Sequence, residues 1–150
     1  MVEPIYALAT PVGRSAVAVI RLSGSPLPEK LLGLLSLKEK KRGVFLRSLD
    51  LGSFSDKCLV LNFPAPSSYT GEHLVEVHTH GNPAIVAELF SFLESHGLRE
   101  ATHGEFSRRA FVNNKMDLSS AESVMSGIFA ETSEELSALE DFRVGALGSK

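Results

Sequence analysis

The segment from residue 74 to residue 97 constrains the fold more than any other part of the chain. Its first seven residues alternate between two faces, as a β-strand requires, with Leu74, Glu76, His78 and His80 on one face and Val75, Val77 and Thr79 on the other. Gly81 ends this strand, Asn82 is a favourable N-cap and Pro83 suits the first helical position. Apolar residues then recur at helical spacing until Gly97, at Ile85, Val86, Leu89, Phe90 and Leu93. The segment therefore predicts a strand followed directly by an amphipathic helix.

Shorter apolar runs predict the other elements of the amino-terminal two thirds of the chain. Four β-prone runs occupy residues 5–10, 16–22, 44–51 and 58–63. A leucine-rich stretch over residues 26–35 predicts a short helix between the second and third strands, whereas two prolines make residues 64–71 a loop. Strands interrupted by helices in this order predict an α+β fold with a mixed sheet.

Two capping patterns predict helices in the last third of the chain. Thr102 followed by Glu105 predicts a short helix that ends near Phe111, and Ser119 followed by Glu122 predicts a second helix. The apolar stripe of that second helix extends toward Phe142, a length of roughly 35 Å at 1.5 Å per residue. Because a domain of this size does not need so long a helix, we expect it to pack against a partner.

Composition narrows the function classes. The 150 residues suffice for about one domain, with no apolar run near the ~18 residues of a membrane span and no secretory leader, so we expect a cytoplasmic protein. The only cysteine, Cys58, is predicted to pack in the core. A net charge of -3 argues against a domain that grips nucleic acid unaided, and the basic run from Lys38 to Arg42 is interpreted as a solvated loop.

Sequence motifs for catalysis are missing. The chain has neither a Gly-x-Ser-x-Gly elbow nor a GxxxxGK[ST] phosphate loop, so we assign no catalytic residue. His78 and His80 would face the same way on a strand, near Glu76 and His73, which raises the possibility of a metal site. Since no second cluster of acids and histidines supplies the remaining ligands, we favour no metal.

Glu76 is the most unusual polar residue in the predicted strands. It stands between Val75 and Val77, and an unpaired carboxylate among apolar residues is costly to bury. It therefore needs donors from an arginine, a lysine or the amide-like edge of a ligand. Arg21, at the end of the second predicted strand, is a candidate partner, and a purely structural ion pair between the two is the simplest interpretation.

Several segments together resemble the amino-terminal domain of the tRNA-modifying GTPase family MnmE, also called TrmE. They are Ala9-Thr10-Pro11-Val12-Gly13-Arg14, Val19-Ile20-Arg21-Leu22-Ser23-Gly24, Ser68-Tyr69-Thr70-Gly71-Glu72, Val75-Glu76-Val77-His78-Thr79-His80-Gly81, Gly104-Glu105-Phe106-Ser107-Arg108-Arg109-Ala110-Phe111 and Asn114-Lys115-Met116-Asp117-Leu118 with Ala121-Glu122. They follow the family order from residue 5 to about residue 125. The chain departs from the family at Val12, near Ser15 and at Asn82, where the family usually has a proline, small glycine-rich residues and a second glycine.

The resemblance implies a module similar in fold to the tetrahydrofolate-binding domain of the aminomethyltransferase family. It implies binding of 5-formyl-tetrahydrofolate or a related reduced folate, with the family contacts at Arg21, Glu76 and Lys115. Residues 1–118 would form this folate-binding and dimerisation domain, and residues 119–150 the first helix of a helical domain. The family's G domain, which uses GTP, Mg and K, is absent from the sequence, so we expect no GTPase activity from this chain.

In the family this module makes the homodimer, and the whole enzyme acts with its partner MnmG on the wobble uridine of tRNA, which it reaches only through the full complex. Two other functions stay open beside the folate-binding module. The chain could be a one-carbon (aminomethyl) transferase, although such enzymes are much longer. It could also be a structural dimerisation domain that binds no folate.

Overall fold

The computed structural model describes residues 2–53 and 55–128, with side chains to residue 124 in the last helix. The chain forms two compact units, Met1–Ala101 and Thr102–Lys150. The first contains β1 (Val2–Leu8), β2 (Val17–Ser25), α1 (Glu29–Leu34), β3 (Gly43–Asp50), β4 (Ser55–Phe63), β5 (His73–His80), α2 (Pro83–Ser95) and β6 (Arg99–Glu100). The second contains α3 (Glu105–Val112) and α4 (Leu118–Ile128).

The strands form one six-stranded sheet in the order β3-β4-β5-β2-β1-β6. Neighbouring strands are antiparallel except β1 and β6, which run parallel. The sheet is therefore mixed, and the predicted α+β class is confirmed.

The hydrophobic core lies between one face of the sheet and helices α1 and α2. Side chains that point to this face, such as Ile20, Val60 and Val77, belong to the same buried cluster as Leu31 of α1 and Leu89 of α2. Cys58 is also part of this cluster, as its apolar setting predicted. The opposite side of the sheet, which carries Arg21, Glu76 and Leu59, is called the far face below, and neither α1 nor α2 contributes to it.

A close backbone contact fixes the chain where β5 ends. The amide of Ser15 donates to the carbonyl of Gly81 at 2.9 Å, just before β2 begins. A Cβ at position 81 would lie 2.1 Å from the carbonyl oxygen of Ser15, so only glycine fits. Asn82 then accepts from the amide of Ala84 at 2.9 Å and caps α2, as predicted.

A buried polar pair supports the basic loop between α1 and β3. The Nδ2 of Asn62, on β4, donates to the carbonyls of Lys38, Glu39 and Lys41 at 3.0, 3.2 and 2.9 Å. Nε2 of His73, itself buried, lies 2.6 Å from the Oδ1 of Asn62. Burial lowers the pKa of His73 and so keeps its ring neutral. The loop is therefore exposed to solvent, while buried side chains of β4 and β5 hold its backbone in place.

The last third of the chain differs from its prediction at both caps. Glu105 reaches back to the amide of Thr102 at 3.0 Å, as one half of the predicted capping box requires, but α3 begins at Glu105 and its N-cap is Gly104. For α4 the cap is Asp117, whose Oδ1 accepts from the amide of Ser120 at 2.7 Å, and Ser119 lies inside the helix. A carboxylate just before a helix can accept hydrogen bonds from the first helical amides. The Ser119–Glu122 pattern therefore placed the cap of α4 two residues too late. The predicted extension of α4 toward Phe142 lies outside the described residues.

Replacing Asn62 tests whether the buried pair holds the loop. Asn62→Ala removes the donor to three carbonyls and leaves the His73 ring without its partner. Because buried groups that lose a hydrogen bond cost about 1–3 kcal/mol, we expect a loss of that size in the free energy of unfolding, measured by urea denaturation. Ser48→Ala, at an exposed position of β3, is the control. Equal stabilities of the two variants would contradict the role of Asn62.

Candidate functional site

Register between β2 and β5 places Arg21 directly opposite Glu76. The same antiparallel ladder continues to β4, where Leu61 is the partner of Glu76, and to β3, where Val44 is the partner of Leu61. Residues paired across strands share a face, so Val44, Leu61, Glu76 and Arg21 form one row across the far face. The site is thus an ion pair on a largely apolar surface.

Both oxygens of the Glu76 carboxylate receive a hydrogen bond. Arg21 donates from Nε to Oε2 at 2.9 Å, and the Nε2 of His78 lies 2.9 Å from Oε1. The Glu76 side chain is 15% exposed, against 39% for Arg21 and 27% for His78. The carboxylate is therefore partly withdrawn from water but still reachable from the surface.

The charge of Glu76 is stabilised by these neighbours. Burial disfavours the ionised form, but the hydrogen bonds from His78 and Arg21, together with the charge of the arginine, outweigh it and lower the pKa of Glu76. Glu76 is consequently a carboxylate at neutral pH. An ionised carboxylate accepts hydrogen bonds only, so a ligand at this position must present donors.

A pinned loop places Tyr69 beside Arg21. The buried Oγ of Ser23, two residues after Arg21, lies 2.8 Å from Thr70 Oγ1 and donates to Glu72 Oε1 at 2.8 Å. The guanidinium carbon of Arg21 lies 5.9 Å from the centre of the Tyr69 ring, which is within cation–π range. Tyr69 remains 40% exposed. The ring is therefore presented at the surface by a loop that is fixed to the sheet.

A second histidine–carboxylate contact lies at the end of β5, where Asp56 and Thr79 are on the core side of the sheet. Asp56 accepts from the hydroxyl of Thr79 at 2.9 Å, and its Oδ2 lies 3.0 Å from Nδ1 of His80. Burial raises the pKa of Asp56, but the hydrogen bonds from His80 and Thr79 reverse this and lower it. A shallow groove of about 240 Å³ connects His80 with His78 and is lined also by Lys57 and Leu59. The Arg21–Glu76 pair therefore lies next to a surface depression.

The structure brings two of the three predicted binding residues together. Arg21 and Glu76 are in direct contact, whereas Lys115 belongs to the second compact unit, in the exposed turn between α3 and α4. The assignment of all three to a folate site stays a prediction. His78, considered from the sequence only as a possible metal ligand, lies 2.9 Å from Glu76, and strand alternation had already placed both on one face. Tyr69 could not be assigned because loop residues follow no periodicity.

Other chemistry receives little support from the described residues. Among them, no group of three or more histidine, cysteine, aspartate or glutamate side chains is arranged to hold a metal ion. Burial raises the pKa of the Cys58 thiol to about 11, so the sulfur is a poor nucleophile at neutral pH. In the same part of the chain, no helix combines the length and the hydropathy needed to cross a bilayer.

Acid titration of Glu76 should be visible in protein stability. Because its folded-state pKa lies below the ordinary 4.5, ionised Glu76 stabilises the fold above that pH, and the contribution disappears as pH falls through the folded-state pKa. The difference in unfolding free energy between wild type and Glu76→Gln should be constant near neutrality and change below pH 4.5. Urea denaturation at several pH values measures it, with Asp56→Asn as a parallel variant. A difference independent of pH down to the acid transition would refute the pairing.

Comparison with known proteins agrees with this architecture. The family described as GTP-binding protein TrmE N-terminus matches residues 4–115. A tRNA modification GTPase MnmE from Maricaulis maris is 49% identical over 131 residues, which cover 85% of this chain and 30% of the relative. The protein of the same name from Opitutus terrae is 42% identical over 149 residues, or 97% of this chain and 33% of the relative.

A third relative, tRNA modification GTPase MnmE from Coxiella burnetii, is 40% identical over 135 residues, covering 88% of this chain and 29% of the relative. The chain thus spans about a third of the length of the curated relatives it matches. The resemblance first noted in the motifs is confirmed over most of the described residues. The chain belongs to the family of the TrmE amino-terminal domain.

Proposed function

We propose that this chain is the folate-binding and dimer-forming module of a tRNA wobble-uridine modification GTPase. The observation that carries the proposal is the Arg21–Glu76 pair, a charged group held on an apolar sheet face beside an exposed tyrosine. The relatives bear the name tRNA modification GTPase, which supports a role in tRNA modification. Since this sequence has no phosphate-binding loop, GTP hydrolysis would belong to another part of such a protein.

A pterin ring matches the acceptor that Glu76 provides. Its amino group and ring N–H lie side by side and can donate to one carboxylate as a pair. Although Arg21 and His78 each occupy one position on Glu76, every carboxylate oxygen can accept a second hydrogen bond. The pair therefore fixes the orientation of Glu76 and leaves acceptor capacity for a ligand.

The remaining groups of a reduced folate also find partners of suitable chemistry. Tyr69 offers a flat exposed ring against which an aromatic part of the ligand could stack. Arg21 contacts Glu76 through Nε, and a guanidinium carries four further N–H donors at its two Nη atoms. Those donors suit oxygen atoms of the ligand next to Glu76, whereas the family resemblance implies Lys115 for the carboxylates of the glutamate tail. The ligand proposed is 5-formyl-tetrahydrofolate or a close relative.

Dimerisation is supported by apolar side chains exposed on the far face. Four such residues are large, namely Val17, Val44, Leu46 and Leu59. Leu46 and Leu59 face each other across β3 and β4, in the row next to that of Glu76. Exposed apolar surface of this kind is typical of an interface. We infer that a second copy of the chain covers these apolar residues, next to the folate site. We also infer that the dimer acts with an MnmG partner in the cytoplasm and that tRNA is reached through that complex.

Glu76→Gln tests the folate site. The variant keeps the shape of the side chain but replaces one acceptor oxygen with a donor, which leaves a pterin N–H without a partner. Loss of a charged hydrogen bond costs about 1.5–3 kcal/mol, so the affinity for 5-formyl-tetrahydrofolate should fall about ten- to a hundredfold in a calorimetric titration.

Glu3→Gln provides the matched control for that experiment. Glu3 also accepts from an arginine Nε, that of Arg99, at 2.8 Å, but the pair is exposed and lies elsewhere on the sheet. We expect its folate affinity to equal that of wild type. If the folded Glu76→Gln protein binds folate as tightly as the control, the site assignment is wrong. If wild type binds no folate, the module is a structural dimerisation domain.

The dimer proposal is tested by placing a charge on the far face. Leu46 is 64% exposed, so Leu46→Lys should leave the fold intact and break the interface, which light scattering would report as a monomer at concentrations where wild type is a dimer. Leu34→Lys is the control, because Leu34 is 50% exposed on α1, away from the far face. Wild type that is monomeric at tens of micromolar, or a Leu46→Lys dimer as stable as wild type, would contradict the proposal.

A further inference from the structure

The loop between β4 and β5 is fastened to the far face through completely buried side chains. Ser23 follows Arg21 by two residues on β2, so it lies on the same face of the sheet, yet it is 0% exposed. Thr70 and Glu72 of the loop, which are also buried, contact the Ser23 hydroxyl. The loop therefore covers the far face at Ser23, in the row next to that of Arg21 and Glu76.

Ser23, Thr70 and Glu72 form a closed set of hydrogen bonds, called the hydroxyl circuit below. Ser23 Oγ donates to Glu72 Oε1 at 2.8 Å, because a carboxylate oxygen accepts. A hydroxyl carries one hydrogen, so Thr70 must be the donor in the 2.8 Å contact between Ser23 and Thr70. Thr70 Oγ1 in turn accepts from the amide of Glu72 at 3.2 Å. Each of the three residues therefore both donates and accepts within the circuit.

The hydroxyl circuit lies directly beside the aromatic ring of the candidate site. Gly71 has φ 80°, in the left-handed region that favours glycine, and this turn brings Thr70 and Glu72 to the same hydroxyl of the sheet. The preceding residue, Tyr69, stays at the surface, and its ring centre lies 5.9 Å from the guanidinium carbon of Arg21. Because the side chain of Thr70 is fixed to the sheet, the backbone that carries Tyr69 is fixed as well.

We propose that the hydroxyl circuit positions the Tyr69 ring for ligand binding, and that Thr70 is a positioning residue of the proposed folate site. Thr70 is 0% exposed, so it cannot touch a ligand at the surface and acts through its neighbour Tyr69. Buried hydroxyls and amides that lose a partner cost free energy, so the circuit holds the loop in one arrangement before a ligand arrives. The identity of the ligand rests on the proposed function, whereas the placement of Tyr69 can be measured without any ligand.

Fluorine NMR measures the placement of Tyr69 in the intact chain. The sequence has two tyrosines, Tyr6 and Tyr69, so labelling with 3-fluorotyrosine gives two signals, which Tyr69→Phe assigns. Thr70→Val keeps the shape of the side chain but removes the acceptor of the Glu72 amide, so the Tyr69 signal should move toward that of free 3-fluorotyrosine. Thr70→Ser keeps the hydroxyl and should restore the wild-type signal. Tyr6 is fully buried, and an unchanged Tyr6 signal shows that the fold is intact.

Calorimetric titration with 5-formyl-tetrahydrofolate measures the consequence for binding. A contact between aromatic rings is worth about two- to tenfold in affinity, so Thr70→Val should weaken binding by that factor, whereas Thr70→Ser should not. In a Tyr69→Ala background, Thr70→Val should cause no further loss, because it acts through the ring that this background lacks. Thr79→Val makes the same change at another buried threonine, whose hydroxyl donates to Asp56, and should bind folate as wild type does.

The positioning role is wrong if the Tyr69 signal of folded Thr70→Val equals that of wild type. It is also wrong if Thr70→Val lowers the affinity equally in the wild-type and Tyr69→Ala backgrounds, or if Thr79→Val loses as much. Should Thr70→Val lose the Tyr6 signal and so fail to fold, Ser23→Ala breaks the hydroxyl circuit at another member and takes its place in both measurements. If wild type binds no folate, the proposed function fails and the binding role of Thr70 with it, while the Tyr69 signal still decides whether the circuit places the ring.

Discussion

The antiparallel pairing of β2 with β5 is the contact on which the core and the candidate site both depend. Its register sets Arg21 opposite Glu76 on the far face and, one residue away, Ile20 opposite Val77 in the core. A slip by one residue would exchange the two faces, exposing the apolar side chains and burying the charges. The contact between Ser15 and Gly81 holds the two strands at the end of this ladder. Core packing therefore enforces the geometry of the polar pair.

The energetics of that pair favour a binding role over a stabilising one. Arg21 is partly exposed, and ion pairs near solvent contribute only about 0–1 kcal/mol to stability. Glu76 is also partly desolvated, which reduces the net gain further. A carboxylate oriented by two donors and reachable from the surface is prepared to accept further hydrogen bonds from a ligand. The pinned loop that presents Tyr69 provides an apolar contact beside it.

Sequence patterns predicted the elements whose apolar residues recur regularly or whose ends are marked by capping and turn residues. Alternation from Leu74 to His80, followed by Gly81 and Asn82, predicted β5 and α2 to within two residues at each end. The same alternation predicted that Glu76 needs a donor, and Arg21 fulfils that need. Local sequence patterns did not predict elements that form only through contacts with distant parts of the chain. The two residues of β6 carry no period and become a strand only because β1 offers them an edge.

Long-range polar contacts could not be predicted from the sequence, because they also depend on how the strands pair. Asn62 and His73 are eleven residues apart, and neither shows that it is buried beneath a basic loop until the strands are paired. The run from Lys38 to Arg42 therefore resembled an ordinary solvated loop. Only the arrangement in space shows that its backbone is held and that its cations lie against Phe45 and Phe63.

The proposed role of Glu76 as the acceptor for a folate is tested most directly by a crystal structure with bound 5-formyl-tetrahydrofolate. We expect the amino group and the adjacent ring N–H of the pterin to lie within about 2.7–3.2 Å of the Glu76 oxygens. Arg21 should remain in contact with the same carboxylate, and Tyr69 should lie against the ligand. A folate bound elsewhere on the molecule, remote from an unchanged Arg21–Glu76 pair, would contradict this role.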